Sequence, residues 1–280
     1  MVRITTILIL FLSFTNISSA QNNSDLGEES SKFALRGVAE LGFLSVLDHD
    51  IQFSNNGTEI DYVEEGGQDV LFPFKRFSFE VDYTDKNTFV FLIQPLRIET
   101  EQLLSRDLRI DNEVFEEGTG VRFLYNFPFY RFSYLRNFVN NDCYTFSFGV
   151  SAQIRNATIS FESLDGTKYR RNSDIGFVPA LKLRTSAMIN DRWYAELEAD
   201  GIYAPVSYLN GSDNEIVGAI LDSSVRLGYK IEASADAFLN LRYLGGGAVG
   251  TDPDSEGPGD GYVSNWLHFF TVSLGAKYRL

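Results

Sequence analysis

The last residues of the chain, 266–280, read WLHFFTVSLGAKYRL and decide the fold. Every second residue from Trp266 to Leu280 is apolar or aromatic, with His268 as the exception, and from Thr271 onward the residues between them are polar or small. A repeat of two is the pattern of a β-strand with one apolar face. Strands of soluble sheets usually hold about 3–10 residues, whereas this stretch is long enough to cross a bilayer at a tilt.

The same alternation recurs along the whole chain. Apolar faces of period two occur within 33–43, 77–83, 121–127, 146–154, 181–187, 193–203, 217–231 and 237–243, and residues 89–98 are apolar on both faces. The strand that contains Pro128 is predicted to continue through 129–138 with a β-bulge at the proline, because proline cannot donate to a ladder. The pattern predicts an all-β fold, an antiparallel up-and-down transmembrane β-barrel of about ten strands, with eight or twelve as alternatives.

The connections between these strands alternate in length. Short turns are predicted at 84–87, 140–142, 189–192 and 232–236, and long polar segments at 44–73, 99–118, 163–174, 205–214 and 251–265. Short turns at the periplasmic side and long loops at the outside are typical of outer-membrane barrels. The first two long loops are each predicted to hold a hairpin, the first of them around Asn56-Gly57. Aromatic residues cluster near both ends of the strands, as two interfacial girdles would.

The first residues are typical of a cleaved signal peptide. Arg3 is their only charge, an apolar run spans 4–14, and Ser18-Ser19-Ala20 forms a small-residue cleavage site. A membrane helix needs roughly 20 apolar residues, and neither this run nor any later one is long enough. We therefore predict a signal peptide at 1–20, a short polar N-terminal segment at 21–32 and a barrel at 33–280.

Charge and cysteine content exclude further classes of protein. The chain has 24 lysines and arginines against 38 aspartates and glutamates, a net charge of −14. Nucleic acid is excluded as a partner, because phosphate binding needs clustered Lys and Arg. Cys143 is the only cysteine, so no internal disulfide can form. Gly245-Gly246-Gly247 ends a strand with no helix after it and is no phosphate loop, and no cofactor is predicted.

The exported N-terminus, the alternating strands and the terminal FTVSLGAKYRL resemble those of bacterial outer-membrane β-barrel proteins. The resemblance implies location in the cell outer membrane, contact with its lipid and lipopolysaccharide, and recognition of the last strand by the barrel-assembly machinery. The implied assembly signal comprises Phe270, Val272, Leu274, Tyr278 and Leu280. The chain ends in leucine and not in the more usual phenylalanine. The resemblance is to a class and not to one family, so no functional residues follow from it.

Charges of both signs are predicted on the inward face. By alternation, the lumen is lined by Arg36, Glu40, Glu80, Asp82, Arg122, Arg155, Lys182, Arg184, Glu196, Glu198, Asp200, Asp222, Arg226, Lys230, Arg242, Lys277 and Arg279. A barrel of about eight strands is just filled by its side chains, so about ten strands predict a narrow lumen crossed by ion pairs. Pairing across the turn at 190–191 sets Arg184 beside Glu196 or Glu198, and Lys182 beside Glu198 or Asp200.

Three segments carry chemically capable residues, and none completes a catalytic site. Asp48-His49-Asp50 resembles the rim residues of omptin proteases but lacks a second carboxylate pair, and we interpret it as a solvated acidic loop. His268 has no serine two residues away, as outer-membrane phospholipases and lipid A deacylases have, and we interpret it as an interfacial residue. The acidic loop is a weak candidate for Ca²⁺, but its spacing does not match an EF-hand; its candidate ligands are Asp252, Asp254, Glu256 and Asp260.

The first functional hypothesis is therefore a narrow passive channel for small polar solutes, with no enzymatic activity. The alternative is a closed structural or binding barrel whose acidic extracellular loops face a partner, or bridge to lipopolysaccharide phosphates through divalent cations. A hydrolase at the outer rim is the third hypothesis. The solute or ligand is left open by the sequence.

Overall fold

The structure is a computed structural model that describes residues 32–205, 216–252 and 259–280. The predicted signal peptide, the N-terminal segment up to residue 31, most of the loop at 205–214, and the candidate ligands Asp254 and Glu256 lie outside the described residues. Within the described ranges, no helix has the length and apolar character needed to cross a bilayer.

The described residues form strands joined by turns and loops, with one short 3₁₀ turn at Thr84–Lys86. The strands are β1 (Phe33–Phe53), β2 (Ile60–Asp61), β3 (Leu71–Tyr83), β4 (Asn87–Gln94), β5 (Arg97–Leu103), β6 (Leu108–Ile110), β7 (Glu113–Phe115), β8 (Gly120–Asn126), β9 (Phe129–Asn140), β10 (Tyr144–Ser163), β11 (Tyr169–Met188), β12 (Trp193–Pro205), β13 (Val217–Lys230), β14 (Ala235–Thr251) and β15 (Tyr262–Arg279).

Ten of these strands close into a single antiparallel barrel. Their order around the wall is β1, β3, β4, β9, β10, β11, β12, β13, β14 and β15. The last strand returns to the first, with Arg36 opposite Arg279 at one end and Phe53 opposite Val263 at the other. The predicted ten-stranded up-and-down barrel is confirmed. The short turns lie at one end, called the inner end below, and the long loops lie at the outer end.

Two wall strands are interrupted by prolines without losing register. β5 continues β4 beyond Pro95, and β8 precedes β9 across Pro128. Gln94 faces Phe129 and Arg97 faces Asn126. The segments between these paired positions, which contain the two prolines, therefore have the same number of residues. The Phe127 N–H donates to the Leu96 carbonyl at 2.7 Å, which carries the ladder past the proline. The β-bulge predicted at Pro128 was wrong, because the ladder passes the missing N–H without inserting a residue.

The outer loops contain the hairpins that the sequence predicted. The outer end of β1 pairs with β2, where Ile51 faces Ile60. In the second loop β6 pairs with β7. These two hairpins lie over the outer end of the barrel, and hydrogen bonds join them, since the Thr58 N–H donates to the Arg109 carbonyl at 2.8 Å.

The outer surface of the wall is apolar. Large exposed side chains alternate along the strands, as in Leu41 and Leu274, which are 57% and 69% exposed. On β1 this apolar face ends at Leu47, and we take the chain beyond it as lying outside the membrane-spanning part. A register shift between Val46 and Asp48 changes the alternation there. Past the shift, residue 49 and its alternate neighbours turn inward.

The barrel interior has two layers. Charged side chains fill the inner part, and a cluster of buried rings, which we call the aromatic plug, fills the outer end. The plug comprises Phe53, Tyr62, Phe115, Phe123, Tyr125, Phe129 and Phe161, packed with buried aliphatic residues. Its rings contact one another edge to face, with centroids 5.5 Å apart for Tyr62 and Phe123 and 5.7 Å for Phe123 and Phe161. Such edge contacts stabilise aromatic packing by more than the burial of apolar area alone.

Candidate functional site

The candidate site is the charged layer inside the barrel, which we call the charged network. Its cations are Arg36, Arg76, Arg131, Lys182, Arg184, Arg226, Arg242 and Lys277, and its carboxylates are Glu40, Glu80, Asp82, Glu196, Glu198, Asp200 and Asp222. Several ion pairs join strands that are not neighbours in the wall. Arg226 on β13 reaches Glu40 on β1 at 3.1 Å, so the network crosses the interior.

Asp222 is the centre of the network. Its side chain is fully buried, and three arginines surround it. Arg131 lies 2.9 Å away, Arg76 lies 3.4 Å away, and Arg242 donates directly to its other oxygen. A buried carboxylate is tolerable only when it is paired and hydrogen-bonded. The three arginines therefore compensate the charge of Asp222 in a medium of low dielectric constant.

Asp200 and Glu198 extend the network along β12. Asp200 receives Lys182 at 2.7 Å and Arg131 at 2.8 Å. Glu198 receives Arg184 at 2.7 Å. Of the pairings predicted across the turn at 190–191, the structure therefore has Arg184 with Glu198 and Lys182 with Asp200. Glu196 instead pairs with a neighbouring strand's cation, Arg226, at 2.5 Å.

The inner part of the network approaches the short turns. Glu80 pairs with Arg184 at 3.0 Å and with Arg36 at 2.8 Å. Arg36 also pairs with Asp82 at 2.9 Å. Neutral groups supply further bonds: the Asn240 amide and the Ser273 hydroxyl donate to Glu40 at 2.7 and 3.0 Å. Each carboxylate in this layer thus has several donors.

The structure places most of the predicted lumen charges inside the barrel. Those that are buried are Glu40, Glu80, Lys182, Glu196, Glu198, Asp200, Asp222, Arg226 and Arg242, and those that are half-buried are Arg36, Asp82, Arg155, Arg184 and Lys277. Lys230 and Arg279 are exposed at the inner ends of their strands and belong to no ion pair among the described residues. Arg155 lies inside but is not paired with a described carboxylate.

Arg122 was assigned to the lumen wrongly. It lies on the outer face of β8, where it pairs with Glu101 at 2.9 Å and with Glu162 at 3.2 Å. The apolar residues that alternate with it, among them Val121 and Phe123, are the buried ones. An apolar face points to lipid in the membrane-spanning part, but at the outer end it points into the aromatic plug, so the alternation is inverted there.

Two central arginines were missed by the sequence analysis. Arg76 lies one residue before the predicted start of its strand, and counting back from Glu80 on the same face would have found it. Arg131 follows Pro128, where the predicted bulge left the alternation undefined. Because the register is unbroken, counting through the proline places Arg131 on the same face as Phe129.

His49 is not a member of a solvated loop, and that interpretation was wrong. Its side chain is fully buried in the plug, between the rings of Tyr62 and Tyr125 at 4.8 and 4.5 Å. The Nδ1 atom is 2.7 Å from the Oε1 atom of Gln68. Burial is the main reason that the pKa of His49 falls from 6.5 to about 4, because desolvation disfavours the imidazolium.

The remaining candidates have local roles. Asp260 accepts the backbone N–H groups of Asn55 and Tyr262, both at 3.0 Å. His268 lies on the outer face and bonds the Tyr243 hydroxyl at 2.6 Å. Within 32–205, 216–252 and 259–280, no three His, Cys, Asp or Glu side chains are grouped to hold a metal. Cys143 is free and exposed.

The last strand exposes its apolar face to the outside of the wall. The residues of the implied assembly signal are all partly or largely exposed there: Phe270, Val272, Leu274, Tyr278 and Leu280. A closed antiparallel wall, apolar outside and charged inside, defines the class of protein. The fold is that of a bacterial outer-membrane β-barrel.

Comparisons with solved structures find other barrels of this class. The outer membrane protease OmpT of Escherichia coli is 12% identical, with a TM-score of 0.49 over 90% of this chain and 99% of that one. The attachment invasion locus protein Ail of Yersinia pestis is 10% identical, with a TM-score of 0.35 over 88% and 99%. The toluene transporter TodX of Pseudomonas putida is 9% identical, with a TM-score of 0.35 over 88% and 90%. No family model and no curated protein matches the chain.

Proposed function

We propose that this outer-membrane barrel is closed, and that it anchors an acidic outer cap in the membrane instead of conducting solutes. The observation that carries the proposal is the charged network. Its central side chains, Asp222 and Arg242, are 0% and 1% exposed although they lie inside the wall. A water-filled pore would leave such charges hydrated, whereas here they pair with each other, and Asp222 also pairs with Arg131 and Arg76.

The aromatic plug supports the same conclusion at the outer end. Phe53, Phe123 and Phe161 are each at most 2% exposed, and they lie between the network and the outer loops. A solute would have to displace both layers to cross. The narrow channel of the first hypothesis is therefore the less favoured of the two functions.

The outer cap is the surface that the barrel presents to the outside. Residues 48–70 hold seven carboxylates and no lysine or arginine, and residues 97–122 hold seven carboxylates and four arginines. Ion pairs such as that of Arg106 with Glu65, at 2.5 Å, join the loops. In this proposal divalent cations bridge the remaining carboxylates to the phosphates of lipopolysaccharide, because hard cations prefer oxygen ligands.

Planar-bilayer recording of the refolded protein at neutral pH tests whether the barrel is closed. We expect no stepwise current from the wild type. The double variant Asp222→Ala with Arg242→Ala removes both members of a central pair, and Arg76 and Arg131 keep Glu198 and Asp200 as partners. It should stay closed as well, because the plug is intact.

The channel hypothesis predicts the opposite pair of results. A pore that passes between these side chains would give ohmic steps in the wild type and larger steps in the double variant. Insertion is verified on the same preparations by the shift in gel mobility on boiling. Steps from verified wild-type barrels would therefore contradict the proposed function.

A further inference from the structure

Arg155 is an interior cation that lacks a counter-charge. It lies on β10, opposite Phe129 on β9 and Gly176 on β11. Its guanidinium carbon is 5.4 Å from the centre of the Phe127 ring, and its Nε atom has no hydrogen-bond partner. Every cation of the charged network pairs with at least one carboxylate, but Arg155 pairs with none of those that the structure describes.

Two buried amides beside Arg155 also have donors without acceptors. Gln153 is two residues away on the same face, and Gln94 faces Phe129, which in turn faces Arg155. Both side chains are at most 2% exposed. Each Oε1 atom already accepts from an arginine, Gln153 from Arg131 at 2.9 and 2.6 Å and Gln94 from Arg76 at 2.7 Å.

These arginines fix the direction in which the amides point. Guanidinium groups only donate, so each amide must turn its oxygen to the arginine and its NH₂ group away. The Nε2 atoms of Gln94 and Gln153 have no partner among the described residues. The NH₂ groups of both amides are thus turned away from Arg76 and Arg131, and both residues lie in the same part of the wall as Arg155, on β4 and β10.

The charge balance of the interior points the same way. In the part of the interior that the charged network fills, the described cations are the eight of the network and Arg155. The network holds seven carboxylates. Unbalanced charge at a site removed from bulk water is strongly disfavoured unless a counter-ion accompanies it.

The wall leaves space beside Arg155. Its cross-strand neighbour Gly176 lacks a side chain, and a Cβ atom built there would meet no described heavy atom within 4 Å. Arg155 itself is half-buried and not packed on all sides. A small group can therefore reach the guanidinium from the inside of the barrel.

We propose that Arg155, with the amide donors of Gln153 and Gln94, forms a binding site for a small anion between the charged network and the aromatic plug. The class of ligand is a monovalent ion of the size of chloride, or a carboxylate group of a small solute. The guanidinium and the two amide NH₂ groups offer hydrogen-bond donors only, so these three groups favour an anion over a cation, and the Phe127 ring lies 5.4 Å from the guanidinium carbon. The site does not depend on whether the barrel conducts.

Two measurements with chloride and bromide test the site. Crystals of the full chain grown in bromide should show an anomalous peak beside the Arg155 guanidinium. In detergent at equal ionic strength, the unfolding midpoint should be higher in chloride than in gluconate by roughly 2–4 °C once the site is saturated. Formate should act as chloride does if the site also accepts carboxylates.

Three variants assign the effect to the site. Arg155→Gln should lose the difference between chloride and gluconate. Arg171→Gln should keep it, because Arg171 is exposed on the outer face and its Nε donates to Ser173 at 2.8 Å. Gln153→Glu keeps an acceptor for Arg131 and supplies a built-in carboxylate. It should fold, have a raised midpoint and no longer respond to chloride.

The proposal fails if wild-type midpoints are equal in the two salts and bromide gives no peak at Arg155, since water alone would then satisfy the donors. A chloride effect of equal size in all four proteins would also overturn it, because that result describes a general salt effect. If Arg155→Gln does not fold, the response of the Gln153→Glu midpoint to chloride tests the proposal by itself. Each of these outcomes is independent of the conductance test.

Discussion

At the scale of single residues, His49 shows how one position links the loops to the barrel. The register shift at Leu47 turns it inward, the rings of Tyr62 and Tyr125 enclose it, and Gln68 from the first loop bonds it. It is neutral when buried, because its pKa lies near 4 and well below the ordinary value of 6.5. Hydrogen bonds with Gln68 and Asn265 and the charge of Asp61 oppose this lowering of the pKa, and burial outweighs them.

Acid should therefore loosen the outer cap. A histidine whose pKa is lowered by folding contributes its full stability above about pH 6.5, and the contribution is lost as the pH falls towards about 4. We expect the loops of the folded protein to become sensitive to protease across this window. His49→Gln should remove that part of the pH dependence, because glutamine does not titrate.

The second histidine of the chain provides the matched control. His268 is on the outer face and bonds Tyr243, outside the plug. His268→Gln should leave the pH dependence of cleavage unchanged. If both variants behave as the wild type does, protonation of loop carboxylates explains the loosening and His49 does not.

At the scale of elements, alternation predicted the strands well and failed where its physical basis changed. Leu274 and Lys277 were assigned to opposite faces of the last strand, and the structure has the leucine exposed outside and the lysine 3.6 Å from Glu196. The rule behind such assignments is that lipid takes the apolar face. Beyond the membrane-spanning part the plug takes that face instead, which is why Arg122 and His49 were misplaced.

The partners of the charged residues in the site could not be predicted from any pattern in the sequence. Alternation tells which face a charge occupies but not which partner it meets across the barrel. The contact of Arg226 with Glu40 joins residues 186 positions apart. The second central arginine, Arg131, required knowing that the ladder passes Pro128 in register. These contacts depend on how the strands close into a barrel, and the sequence of a single strand does not reveal that closure.

The last strand should tolerate a change on its inner face better than a charge on its outer face. Leu274→Arg places a cation in lipid, at a cost of about 2–4 kcal/mol near the bilayer midplane. We expect little of this variant in the outer membrane. Lys277→Gln keeps a polar side chain inside and should reach wild-type amounts, as measured by immunoblot of washed membranes. Wild-type amounts of both variants would refute the assignment of the strand's faces.

At the scale of the whole molecule, the closed wall and the filled interior should make the folded barrel resistant to detergent. We expect unboiled protein to migrate differently from boiled protein on a detergent gel, because the wall keeps its backbone hydrogen bonds until it is heated. The protein should also remain in membranes after a carbonate wash. A single band at the unfolded position in both samples, with release into the wash, would contradict the membrane-barrel fold.

The pairing of the first wall strand with the last has a consequence for how the protein is made. β1 and β15 meet along their whole length, and Glu40 on β1 accepts from Ser273 on β15, 233 positions later. Contacts between such distant parts of a chain form slowly. Until β15 has been synthesised and delivered, β1 and β14 each present an open edge, and lipid cannot satisfy an open edge. The chain must therefore stay out of the bilayer until β15 is available to close the wall.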